Sequence, residues 1–259
     1  MEIPVAVCYT FSCKTTGGTT DMKKLNLEPT ARSLHLLAMA LMLCDHVGLA
    51  LLPEQTVLRC IGRLAFPIFA FLAVEGYQHT RNLKGYLLRL LAAAVLSELP
   101  FDLLCSGRLF DPLHQNVLWT ILIGLGTLYL ADSAKSGREG AAAAAALLLG
   151  AGLALAGRTD YGCAGVMTIL IFWIFRERSW KNRAMQAFLL WIVHGFLLAG
   201  PAVPVLGFWV GMQTLALGAL APIWLYRGRQ GCHSRGFRLL CYGFYPAHML
   251  VLALIRMYR

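Results

Sequence analysis

An all-α, polytopic transmembrane helix bundle of about nine spans with a cytoplasmic N-terminus is the fold class predicted, on three observations: an apolar composition, a series of apolar stretches, and positive charge in alternate connections. Of 259 residues, 58% are hydrophobic and 14% charged, and mean hydropathy is +0.62. A soluble domain carries about 25% charged residues to cover its surface, so lipid is the expected solvent for most of this chain.

A span needs roughly 20 mostly apolar residues. The stretches that qualify, some of them short or Gly-rich, are Ala31 to Leu52, Val57 to Gln78, Leu83 to Leu104, Asn116 to Leu130, Ala141 to Leu155, Tyr161 to Phe175, Met185 to Leu198, Val205 to Tyr226 and Phe237 to Met257. Lys23, Lys24 and Arg32 precede the first; Arg81 and Lys84 follow the second; Lys135 and Arg138 follow the fourth. Arg176, Arg178, Lys181 and Arg183 follow the sixth, and Arg227, Arg229 and Arg235 the eighth. The other connections are poor in positive charge: Pro53 to Thr56 and Gly200 to Pro204 hold none. Because cytoplasmic loops collect Lys and Arg, the chain is expected in the inner or plasma membrane as a multi-pass protein.

Residues 30–259 form one expected transmembrane domain. Residues 1–29 read as a tail, either disordered or lying before the true start at Met22, without the apolar core and cleavage site of a signal peptide. Cys8, Cys13, Cys44, Cys60, Cys105, Cys163, Cys232 and Cys241 are scattered, with no CxxC pair, as expected of packing thiols rather than a disulfide framework or zinc site. The net charge of +10 comes in small groups that topology explains, so no nucleic-acid partner is expected. No internal repeat is evident, which argues against inverted-repeat transporter folds.

Ionisable residues inside spans are costly, about 2.5 kcal/mol or more each at the centre, and normally face a partner or a polar cavity. Under the expected topology Asp45-His46, Arg63, Glu98, Asp102, His114-Gln115-Asn116 and Asp160 cluster toward the outer side, with His248 near the middle of the last span after Tyr245-Pro246. Glu75 stands apart near the cytoplasmic end. One shared polar cavity is the economical explanation. His46 is the candidate general base, and Asp45, about 100° away around the helix, a tuning or positioning group; either of the two is placed to pair across to Arg63. Bland roles compete: Arg63 with Glu98 as a structural ion pair, Asp102 and Asp160 as helix caps. No HxxxH or HExxH spacing appears, and no metal is expected.

The segments Leu43-Cys44-Asp45-His46-Val47-Gly48, Gly62 to Phe71 with its Phe66-Pro67-Ile68-Phe69 core, Glu75 to Arg81, Ser97-Glu98-Leu99-Pro100-Phe101-Asp102, Gln115-Asn116-Val117, Asp160-Tyr161-Gly162 and Tyr245-Pro246-Ala247-His248 together resemble the TraX family, in family order from about Ala31 onward. That family takes its name from the conjugative pilin acetylase, which N-acetylates the pilin N-terminus. It is similar in turn to the wider transmembrane acyltransferases, including the acyltransferase-3 enzymes and the lysosomal heparan-α-glucosaminide acetyltransferase. Those use acetyl-CoA or another acyl-CoA and a histidine near the end of an early span, which corresponds to His46.

The resemblance implies an acetyl- or acyltransferase that moves an acyl group from acyl-CoA to an amine or hydroxyl acceptor. His46 and Asp45 are then catalytic; Arg63, Glu75, Glu98, Asp102, Gln115, Asn116, Asp160, Tyr245 and His248 are candidate substrate or cofactor contacts. The expected partners are membrane lipids, acyl-CoA and an acceptor small molecule, glycan or peptide N-terminus, and an oligomer stays open. Direct transfer and an acyl-histidine intermediate are both compatible with these residues. The rival readings are a proton-coupled transporter or permease using the same buried charges, and a structural assembly partner.

Overall fold

The computed structural model describes residues 28–133, 139–198, 200–205, 207–231 and 234–259. The expected tail thus lies outside the described residues up to position 27, as do Lys135 and Arg138.

Among the described residues the fold is nearly all-α. Helix α1 (Ala31–Ala50) opens with a reciprocal cap, in which Ser33 N–H donates to Thr30 Oγ1 at 3.1 Å and Thr30 N–H donates to Ser33 Oγ at 2.7 Å. α2 (Thr56–Gly62) and α3 (Ala65–His79) share the second expected span, offset by a turn at Arg63-Leu64. Pro67 in the first turn of α3 has no N–H to offer the Arg63 carbonyl, which weakens the helix where the offset occurs. α4 (Leu83–Cys105) is capped by Asn82, whose Oδ1 accepts the Gly85 N–H at 2.8 Å. α5 (Val117–Ser133), α6 (Glu139–Ala156) and α7 (Gly162–Ile174) follow. α8 (Trp180–Ile192), capped by Ser179, runs into a π-helical turn at Val193–Leu197.

The eighth expected span departs from a single helix. Ala202–Val205 (β1) and Phe208–Gly211 (β2) form an antiparallel hairpin with Gly207 at φ +86°, a left-handed conformation that suits glycine. Only then does a 3-10 helix, Met212–Ala219, lead into α9 (Leu220–Leu225). Hydropathy summed over Val205 to Tyr226 hid the hairpin's second strand, because Val205, Phe208 and Val210 are apolar and also suited to strands, while Gly207 disfavours a helix. α10 (Arg235–Met257), capped by Ser234, ends the chain.

Among the described residues three stretches, Ala31–Ala50, Thr56–His79 and Gly236–Met257, are long and apolar enough to cross a membrane, and four shorter apolar helices accompany them. Large apolar side chains such as Leu88, Val95, Leu96, Leu148 and Leu153 point outward, as expected where lipid is the solvent.

The helices alternate between two ends. At the basic end Ala31 N–H donates to the Arg229 carbonyl at 2.9 Å, and Tyr226 donates to Glu75 Oε2 at 3.1 Å. At the opposite end Arg256 donates to the Leu104 carbonyl at 2.8 Å, and Gln115 N–H to the Arg158 carbonyl at 3.0 Å. α1, α3, α7, α5, α4 and α10 pack in that order, and α10 returns to α1, closing a ring. α6 lies outside against α5 and α7, and α8 against α7.

Candidate functional site

The ring encloses a cavity of about 550 Å³. Its wall on α1 runs from His35 to Leu49, about 21 Å along the axis at 1.5 Å per residue. His35, Tyr86, Arg89, Arg238 and Tyr242 line it toward the basic end; Ser106, Asp111, His114 and Asp160 line it toward the other. Asp45, His46, Arg59, Arg63, Tyr161 and Tyr245 lie between.

Asp45 is buried and clamped by two guanidiniums from the α2–α3 junction. Arg59 Nη1 donates to its Oδ2 at 2.7 Å, and Arg63 Nη2 donates to its Oδ1. Gly62 makes the clamp sterically feasible, since a Cβ there would fall on the Asp45 carboxyl group. Asp45 therefore serves Arg59 and Arg63. Of the two residues expected to pair across to Arg63 it is Asp45 that does so, and the weighed alternative of an Arg63–Glu98 pair is not present: Glu98 has other partners.

His46, one position on, faces away from that clamp. Its Nδ1 lies 2.7 Å from Nε2 of His248 on α10, and His248 Nδ1 lies 2.6 Å from the Phe244 carbonyl. The Phe244 ring lies against His248 with centroids 4.7 Å apart and planes 15° apart. Tyr245, also buried, holds its ring 6.3 Å from that of His46. Across the cavity Tyr161 stacks on Phe66 at 3.7 Å between centroids.

Glu98 Oε1 accepts from Asn116 N–H at 3.2 Å, Asn116 Nδ2 at 2.6 Å and Trp119 Nε1 at 2.5 Å. Asn116 also donates to the Ala94 carbonyl at 2.9 Å and accepts the Leu118 N–H at 3.0 Å. This network fastens the start of α5 to α4. Asp102 Oδ2 accepts the Asp111 N–H at 2.9 Å and so anchors the following loop.

At the cavity mouth Asp160 N–H donates to the Gln115 carbonyl at 2.9 Å, which joins the 157–161 loop to the loop before α5. The junction brings His114 Nε2 to 3.2 Å from Asp160 Oδ1. The Asp160 hydrogen bond holds His114 above the ordinary imidazole range, against partial burial. Hydrogen bonds from Ser106 Oγ and Leu113 N–H keep the Asp111 carboxyl below the usual carboxylate range.

Of the residues singled out in the sequence, Asp45, His46, Arg63, Asp160 and Tyr245 share the cavity wall, whereas Glu98, Asp102, Gln115, Asn116 and His248 stand behind it. Glu75 lies at the basic end, bound by Tyr226. Arg59 and Asp111 join the wall unannounced, and Tyr161 joins it from the Asp160-Tyr161-Gly162 motif without having been singled out for a role. Arg59 had a readable signal, being four residues before Arg63 and so on the same helical face.

Fold and site together define a helical membrane protein built around a largely apolar cavity with histidine, carboxylate and guanidinium on its wall. Residues 31–256 match the family described as TraX protein, and the chain belongs to that family. It is 29% identical over 249 residues, 90% of this chain and 98% of the relative, to a protein of Dichelobacter nodosus named as a probable fimbrial assembly protein FimC of serogroup H1. It is 44% identical over 106 residues, 41% of this chain and 38% of the relative, to an uncharacterized protein of Rickettsia prowazekii. No solved structure matches it.

Proposed function

We propose that this protein is a multi-pass inner-membrane acyltransferase that moves an acyl group, acetyl in the simplest case, from acyl-CoA to an amine or hydroxyl. The observation that carries the reading is the position of His46, a base in the wall of a cavity it shares with the Asp45–Arg63 pair. Acyl transfer needs a base for the attacking atom and donors for the developing oxyanion. His46 supplies the first; the second is assigned to Arg63 or Tyr245, both on the same wall.

The basic end is assigned to the cytoplasm, since Lys and Arg collect there. Met212–Leu225 then makes the eighth crossing, at about 25 Å for its 3-10 and α segments, and the odd number of crossings is kept. Arg89 and Arg238 on the cavity wall suit the anionic nucleotide of a donor entering from that side. Membership of the TraX family and the fimbrial-assembly name of the relative favour an acceptor at the far side, such as a peptide N-terminus.

The test is CoA release from acetyl-CoA by protein in nanodiscs, offered a short peptide with a free N-terminus, glucosamine or octanol. Wild type is expected to release CoA with one of them and His46→Ala to lose that activity. No acetyl-CoA binding, no release with any acceptor, and a His46→Ala variant that behaves as wild type in cells would overturn the reading. The length of the cavity favours a second reading, a proton-coupled permease. Substrate flux in proteoliposomes without acyl-CoA would support that instead.

A further inference from the structure

We propose that His248 is a positioning residue that fixes the tautomer of His46, so that Nε2 of His46 carries the lone pair. The chain of assignment starts at a group that can only accept. The Phe244 carbonyl, 2.6 Å from His248 Nδ1, requires a hydrogen on that nitrogen. A neutral His248 then has its lone pair on Nε2. That nitrogen lies 2.7 Å from His46 Nδ1, and two lone pairs do not face each other at such a distance. His46 Nδ1 therefore carries a hydrogen and donates it to His248, which leaves Nε2 of His46 unprotonated.

The ring geometry agrees. The two imidazole planes are 9° apart with centroids separated by 5.0 Å. The 2.7 Å gap between the nitrogens plus one ring radius at each end accounts for that separation. The rings are thus end to end in nearly one plane, where lone pair and N–H align, rather than face to face. His46 lines the cavity and His248 does not, so His248 stands behind the base rather than among the substrate contacts that its sequence suggested.

An orienting acceptor behind a catalytic imidazole is commonly a carboxylate. Here Asp45 is held by Arg59 and Arg63, and a second imidazole takes the place. The consequence for chemistry rests on the acyltransferase reading. As the acceptor's nitrogen or oxygen bonds to the acyl carbon, its proton passes to His46 Nε2; as the carbon–sulfur bond breaks, the proton passes on to the CoA thiolate. Between those events the positive charge is shared along the His46–His248 hydrogen bond, and no net proton is gained or lost.

The test reads the tautomer directly, by ¹⁵N shifts of labelled histidine in the full chain in nanodiscs, without any substrate. Wild type is expected to show His46 protonated at Nδ1. His248→Gln, which keeps an acceptor, should retain that signature, and His248→Leu should lose it. With an accepted substrate, His248→Leu should lower kcat about 10- to 100-fold with little change in the KM for acetyl-CoA, and His248→Gln should recover part of the loss. Protonation of His46 at Nε2 in the wild type overturns the assignment, as does a rise in KM alone. Absence of acyl transfer by the wild type overturns the reading of function and leaves the tautomer result standing.

Discussion

The carboxyl group of Asp45 lies against the backbone of Gly62, inside the space that any side chain at position 62 would fill. This contact lets Arg63, the next residue, reach Asp45 from the turn after α2 while Arg59 reaches it from within α2, one turn earlier. Gly62→Ala is expected to push α1 and α2 apart, to break the Arg63–Asp45 pair and to destabilise the protein by about 1–3 kcal/mol, the usual range for overpacking. Thermal unfolding in detergent measures it. Gly126→Ala and Gly152→Ala are the controls, because a Cβ at either position meets nothing within 4 Å. Equal stability of all three variants would refute the steric role assigned to Gly62.

Most of the helical framework was legible in the sequence, and the failures have physical causes. The expected first, third and last spans end within a few residues of α1, α4 and α10, because apolar length and Ser, Thr or Asn caps mark them locally. The hairpin at Ala202–Gly211 was not legible as such, since hydropathy records burial rather than backbone conformation. Asp45 and His46 were legible as unusual, and the 100° between them correctly separated their directions. Their partners were only partly so. Asp45 meets Arg63 in the nearby α2–α3 turn, whereas His46 meets His248 across 202 positions, and nothing local encodes that meeting. Glu98 and Asn116 looked like substrate contacts because intramembrane polarity alone does not distinguish a cavity wall from a helix cap.

That distinction is measurable at Glu98. One of its oxygens takes hydrogen bonds from the Asn116 N–H, the Asn116 amide and the Trp119 indole. Glu98→Gln keeps an acceptor oxygen, so it is expected to retain most of the stability and activity. Glu98→Ala leaves those donors without their acceptor and should destabilise by about 1–3 kcal/mol, with Trp119→Phe losing a smaller share. Unfolding midpoints and CoA release, measured together, decide the matter. A fully stable Glu98→Gln protein without activity would instead put the carboxylate in the chemistry.

The His114–Asp160 contact gives the mouth of the cavity a pH dependence of definite sign. His114 sits in the loop before α5, and its hydrogen bond to Asp160 raises its pKa above the unfolded value of about 6.5. A raised histidine pKa means that the folded state holds the proton more tightly than the unfolded chain. The resulting stabilisation is fully present below about pH 6.5 and is lost as pH rises through the higher folded value. The stability difference between wild type and His114→Asn should therefore be largest in mildly acidic buffer and shrink steadily toward alkaline pH. Because the imidazole is 43% exposed, salt should weaken the effect. Limited proteolysis of the 106–116 loop across the same pH series is expected to follow it, with cleavage accelerating as the tie is released. A difference that stays constant from acid to alkali would show that the pairing contributes geometry without charge.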